Sequence, residues 1–191
     1  MEILVDIMHG MDYGILAYIA ETLRGGSLDP VMTVLSLMGN SGAVWIATAV
    51  LLLFFRKTRR AGVAMLLALA AGYVIGNLCI KELVMRPRPF VTHSDLTALL
   101  DPGDPWSFPS GHALSSFAAA TALCCFHRKT GVLELVLAAL IAFSRLYASV
   151  HYPTDVLAGA LLGVLLGLAA AALVDRVMDA LHTIRLRKGD K

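Results

Sequence analysis

Apolar residues in this chain come in long blocks. Positions 28–55, 61–80 and 156–174 contain almost no ionisable side chain, and 132–143 is a shorter block of the same kind. A helix of about 20 residues crosses the roughly 30 Å hydrocarbon core of a bilayer. The pattern therefore predicts spans near 28–55, 61–80, 109–126, 132–150 and 153–174, within a single membrane-embedded domain over 1–191. Residues 1–24 differ. Ile3, Leu4, Ile7, Met8, Met11, Ile15, Leu16 and Ile19 recur at helical spacing between acids, the mark of an amphipathic helix on a membrane surface. Arg24-Gly25-Gly26-Ser27 reads as a turn, Asp29-Pro30 as a helix start, and Gly39-Asn40-Ser41-Gly42 as a kink. The expected fold class is an all-α, polytopic membrane bundle of about five to six helices.

Composition strengthens that reading. The 191 residues are 58% hydrophobic and 16% charged, against about 25% charged in soluble domains. A soluble helical bundle would need polar faces that these blocks lack. The net charge of +2 is uninformative, but its placement is not. Arg56, Lys57, Arg59 and Arg60 form one basic cluster, Arg128 and Lys129 a second, and Arg176, Arg185, Arg187, Lys188 and Lys191 a third. Five spans bring all three to one side, which the positive-inside rule makes cytoplasmic. The N-terminus then lies outside, as do Asp95, Asp101 and Asp104. No basic stripe carries interleaved aromatics, so no nucleic-acid partner is expected. Cys79, Cys124 and Cys125 lie in apolar segments without metal-ligand or disulfide spacing. Gly159, Gly163 and Gly167 recur every four residues, a spacing that lets helices approach closely, chiefly within one chain.

Three polar clusters interrupt the apolar pattern, all at the face opposite the basic clusters. They are Lys81 to Pro89 (KELVMRPRP), Pro109-Ser110-Gly111-His112, and Ser144 to Asp155 (SRLYASVHYPTD). Ionisable groups near membrane depth are costly and usually functional. Lys81, Arg88 and Arg145 supply positive charge, and arginine forks match phosphate oxygens. Ser110 offers a hydroxyl, and Gly111 exposes backbone N–H at a helix start. His112 and His151 can exchange protons or attack phosphorus, and Asp155, four residues after His151, can hold its tautomer. Together they describe a phosphate pocket. Arg86 reads as an anchor for its loop.

These clusters resemble the signature of the type 2 phosphatidic acid phosphatase (PAP2) family: lysine, six residues, Arg-Pro; then Pro-Ser-Gly-His; then Ser-Arg, five residues, His, three residues, Asp. Lys81 with Arg88-Pro89, Pro109 to His112, and Ser144-Arg145 with His151 and Asp155 match in type and spacing. The resemblance implies a PAP2/haloperoxidase-like core and a phosphatase that needs no metal or other cofactor. It implies that His151 is the nucleophile, Asp155 orients it and His112 protonates the leaving oxygen. Lys81, Arg88, Ser110, Gly111 and Arg145 would hold the phosphoryl oxygens. Many members have six spans, whereas five plus a surface helix are expected here.

The expected activity is hydrolysis of a membrane lipid phosphate monoester or pyrophosphate on the outer face of a bacterial-type plasma membrane. Undecaprenyl pyrophosphate is the first expectation; phosphatidylglycerophosphate, phosphatidic acid and lipid A phosphate are others. A lipid phosphotransferase would share the mechanism. A non-catalytic lipid-phosphate binder or transporter would not need both histidines and Asp155. A vanadate haloperoxidase would be soluble and much larger. The pattern does not fix an oligomeric state.

Overall fold

The structure is a computed structural model that describes the backbone of residues 2–189 and the side chains of 10–181 and 184. The expected apolar positions Ile3, Leu4, Ile7 and Met8 and the basic residues Arg185, Arg187, Lys188 and Lys191 lie outside the described side chains. Among the described residues, eight α-helices follow one another: α1 (Glu2–Thr22), α2 (Leu28–Met38), α3 (Ala43–Leu53), α4 (Arg59–Val84), α5 (Pro89–Thr92), α6 (Gly111–Phe126), α7 (Arg128–Tyr147) and α8 (Pro153–Gly189). No strand occurs among the described residues, only an isolated bridge between Pro87 and Trp106.

The protein is a multi-pass membrane protein. α4, α7 and α8 are each long and apolar enough to cross a bilayer. α2 and α3 meet that test only together, bent by 48°. The bend is a single 3₁₀ turn, Asn40–Gly42, in which Ser41 and Gly42 take φ of 53° and 64°. α6 is apolar but has only 16 residues. Several ends differ from the hydropathy reading. α2 does start at Leu28, yet Asp29 lies within its first turn and is not its N-cap; its carboxylate accepts from Gly25 N–H and Tyr147 O–H. α4 runs on to Val84 through a π-helical stretch, Tyr73–Ile80. α7 starts earlier, at Arg128, and stops at Tyr147, where the chain turns through Ser149 at φ 50°.

α6 is the central post, packed on α4, α7 and α8. Its buried side is built from Ala118, Ala119, Ala120 and Ala122. The α8 glycines explain how close the helices come. A Cβ on Gly159, Gly163 or Gly167 would stand 2.5, 2.5 and 2.7 Å from the carbonyl oxygens of Ser110, Leu114 and Ala118. The glycine stripe is thus spent within the chain, and it fixes α6, whose first turn carries the Ser-Gly-His cluster. α8 turns Leu157, Leu161 and Leu165 outward, each more than 60% exposed. Such a face is an aggregation hazard in water and is ordinary against lipid.

α1 is held by more than an apolar stripe. Leu16 and Ile19 are buried, and Asp12, between the exposed Met11 and the half-buried Tyr13, is 2% exposed. Its carboxylate accepts from Thr154 N–H, Thr154 O–H and Arg86. At the other end of the bundle, Arg60 pairs with Asp175 and Asp179. This sets the start of α4 beside the far half of α8, with the three polar clusters at the opposite end.

Candidate active site

Lys81 follows the π stretch of α4. The wider π turn rotates the helix end, and such distortions often mark functional sites. Lys81 is buried, and its Nζ lies 3.1 and 3.3 Å from the Asp104 carboxylate oxygens. The chain then reverses at Met85 (φ 46°), sending Arg86 and Arg88 to different places. Arg88 is extended, as the residue before a proline prefers. Its Nη2 donates to Asp104 Oδ1 (2.9 Å), its Nε to the Asp104 carbonyl (2.8 Å) and its Nη1 to the Val150 carbonyl (2.7 Å). Burial opposes charge on Asp104, yet Lys81 and Arg88 hold its carboxyl below the ordinary carboxylate range.

Two histidines face this cation pair. His151 is 2% exposed. Its Nδ1 lies 2.7 Å from the Ser107 carbonyl, which can only accept, so Nδ1 carries the proton and Nε2 keeps its lone pair. Nε2 faces the cavity beside Arg88 Nη1 at 3.5 Å. Burial brings the imidazole down to about 4, against the pull of Asp155, so the ring is neutral near pH 7. His112, in the first turn of α6, has Nε2 2.9 Å from Asn40 Oδ1 in the α2–α3 bend. Gly39 makes room for it: a Cβ there would stand 2.6 Å from the ring. Arg145, in the last turn of α7, donates from Nη1 to Ser36 Oγ, while its buried Nε meets no partner among the described residues.

Lys81, Arg88, Gly111, His112, Arg145 and His151 all line one cavity of about 730 Å³. Its other end is apolar, walled by Ile46, Leu66, Leu69 and Leu114. Two of the nominated residues stand behind the wall instead. The Ser110 hydroxyl accepts the Ala113 N–H at 3.4 Å and caps α6, so its first duty is local. Asp155 Oδ2 is 3.6 Å from His151 Nδ1, too far for a hydrogen bond, and takes the Tyr152 N–H at 2.9 Å. The direct orienting partner of His151 is the Ser107 carbonyl, not the carboxylate expected from the spacing. Asp155 Oδ1 accepts from Arg86 at 2.7 Å, and Arg86 also grips Thr154 and Asp12 and lies 3.9 Å over the Tyr152 ring.

Sequence reasoning passed over Ser107 and Ser36, gave Asn40 only a place in the kink, and gave Asp12 and Asp104 only a side of the membrane. Ser107 acts through its main chain and has no side-chain signature. Asp12 had one: an acid within an otherwise apolar helical stripe.

The PAP2 superfamily profile matches residues 61–179, which is more than half the chain. The chain belongs to the PAP2 superfamily. It is 37% identical over 139 residues to an undecaprenyl-diphosphatase of Sulfolobus acidocaldarius, a match covering 72% of this chain and 66% of that one. It is 31% identical over 161 residues to phosphatidylglycerophosphatase B of Bacillus subtilis, covering 77% and 75%. Against several other curated relatives, such as BcrC of Bacillus subtilis, the match spans about half of the relative's length. Among solved structures, the PAP2-type phosphatidylglycerolphosphate phosphatase of Bacillus subtilis superposes with a TM-score of 0.74 at 27% identity, over 88% of this chain and 87% of that one. Aquifex aeolicus LpxE gives 0.68 at 28% identity, over 84% and 94%. The all-helical PAP2 membrane fold is therefore that of this protein.

Proposed function

We propose that the protein is a membrane lipid phosphatase that works through a phosphohistidine on His151. The observation that carries this reading is the cavity itself. One end gathers Lys81, Arg88, Arg145 and two imidazoles, and the other is apolar. A phosphate headgroup with a hydrocarbon tail has the same two ends. The names of the similar proteins, a diphosphatase and a phosphatidylglycerophosphatase, support a phosphoryl substrate.

In this mechanism Lys81, Arg88 and Arg145 neutralise the phosphoryl oxygens, with the Gly111 N–H at the start of α6 completing the cradle and Ser110, behind the wall, fixing that helix start. Fixed cations supply the electrostatic stabilisation that phosphoryl transfer chiefly needs, without a metal. The His151 Nε2 lone pair attacks the terminal phosphorus, forming an N–P bond as the P–O bond to the leaving group breaks, a lipid alcohol from a monoester and a lipid phosphate from a pyrophosphate. His112, held by Asn40, gives its proton to the departing oxygen. His112 then takes a proton from water, whose oxygen attacks phosphorus, and the N–P bond breaks to release inorganic phosphate. The Ser107 carbonyl fixes the His151 tautomer, and Asp155 adds negative charge behind the ring as it turns cationic.

Undecaprenyl pyrophosphate is the first substrate to test, followed by phosphatidylglycerophosphate, phosphatidic acid and lipid A phosphate. The site is assigned to the outer face of the plasma membrane, with the basic ends of α4, α7 and α8 in the cytoplasm and residues 1–191 as one domain. Phosphate release in detergent with excess chelator tests this, comparing the unaltered chain with His151→Ala. Release by the unaltered chain alone supports the reading. No release from any of the four substrates by folded protein overturns hydrolysis.

A further inference from the structure

Asp104 sits where the proposed mechanism needs phosphate. Its carboxylate bridges Lys81 and Arg88, two of the three cations around the cavity. The third, Arg145, has no carboxylate partner among the described residues, and its Nε is unpartnered. The Asp104 side chain is 42% exposed, whereas those of Lys81 and Arg88 are 8% and 2% exposed. The acid therefore stands at the rim and has water to retreat into, while the cations are fixed. Its loop turns at Gly103 (φ 78°), whose N–H is taken by Asp101. The Arg88 Nε bond to the Asp104 main-chain oxygen tethers the loop independently of the carboxylate.

We propose that Asp104 is a specificity-determining residue that screens the cavity against phosphodiesters. This rests on reading the cavity as a phosphate pocket. A diester headgroup carries one negative charge on two free oxygens, the same as the carboxylate it would displace. The exchange gives it little electrostatic gain. A phosphomonoester carries about −1.5 to −2 and three free oxygens at pH 7, and a pyrophosphate carries more. Only these outcompete the internal carboxylate and engage Arg145 as well. The device has an evident use, because a bare cationic cavity opening on a bilayer would fill with the diester headgroups of ordinary phospholipids.

The test uses the full chain in detergent and follows binding of inorganic phosphate and of dimethyl phosphate by the fluorescence of Trp106, whose main-chain N–H donates to Asp104 Oδ1 at 3.2 Å. The unaltered chain should prefer phosphate strongly. Asp104→Asn should bind dimethyl phosphate roughly tenfold more tightly, since it removes the competing charge-assisted bonds. Asp104→Glu should restore the preference. On a lipid phosphomonoester substrate, Asp104→Asn should lower KM and become sensitive to inhibition by added phosphatidylglycerol. An unchanged preference in Asp104→Asn, or a loss of kcat at unchanged KM, overturns the proposal. Where Asp104→Asn does not yield folded protein, Asp104→Ser carries the same test through the intact main-chain tether. The two readings separate cleanly. Absence of turnover in the unaltered chain refutes the phosphatase, while the two binding constants still decide the screen.

Discussion

The two ends of the bundle use the same charged groups to opposite effect. At the basic end, Arg60 reaches Asp175 and Asp179 with side chains 38%, 55% and 63% exposed. At the cavity end, Arg88, Arg145 and Asp155 are 2%, 3% and 0% exposed. Ion pairs in water contribute little, because solvent screens them and long side chains lose freedom in forming them. Buried charges cost several kcal/mol each unless densely hydrogen-bonded, so they persist where something other than stability requires them. The contrast teaches that burial, rather than the presence of an ion pair, separates a helix anchor from a candidate site.

That comparison can be broken at graded points. The largest effect is expected from Arg88→Ala, which removes a buried cation from the wall beside His151. We expect roughly a thousandfold loss of kcat/KM with the helical circular dichroism retained. A result within tenfold would detach Arg88 from the chemistry. Next is Gly163→Val, whose first carbon would stand 2.5 Å from the Leu114 carbonyl. It should destabilise the α6–α8 contact by about 1–3 kcal/mol, read as a lower midpoint of thermal unfolding in detergent.

Asp12→Asn is expected to cost about tenfold in kcat with KM little changed, since it loosens Arg86 and through it Asp155 without touching the cavity. A change in KM alone would contradict that chain of contacts. The pH profile is expected to be gentler still. His151, brought down to about 4, keeps its lone pair above that pH and loses it only as pH falls through 4. Any loss of kcat/KM on acidification from pH 8 to 5 must then come from another group, whereas His151→Ala rescued by free imidazole should gain an inflection at about 6.5–7, where an unburied imidazole takes up its proton. The smallest effect belongs to Arg60→Ala, expected to leave activity and the unfolding midpoint within scatter.

Much of the helical architecture was legible because lipid replaces the polar face. Blocks such as 61–80 and 153–174 announce themselves by length alone. The bend at 39–42 was legible from two glycines around Asn40-Ser41. The π stretch Tyr73–Ile80 was not, since Gly76 and the β-branched residues around it are common in membrane helices and do not by themselves mark a wider turn. At the site, side chains with intrinsic chemistry stood out, and Lys81, Arg88, His112, Arg145 and His151 converge on one cavity. Contacts made by main chain or across long separations did not stand out. The Ser107 carbonyl on His151, the Asp104 bridge and the Asp12–Arg86–Asp155 chain all depend on loops brought together only by the fold.

The central claim is a covalent phosphoryl group on His151, and the most direct test is to trap it. The full chain would be mixed with an end-labelled lipid phosphate, quenched in alkali within the first turnover, digested and mapped by mass spectrometry. The account predicts acid-labile, alkali-stable label on the peptide containing His151, and none in His151→Ala. Label on another residue, or phosphate release in a single turnover with no labelled protein at any time, would contradict it.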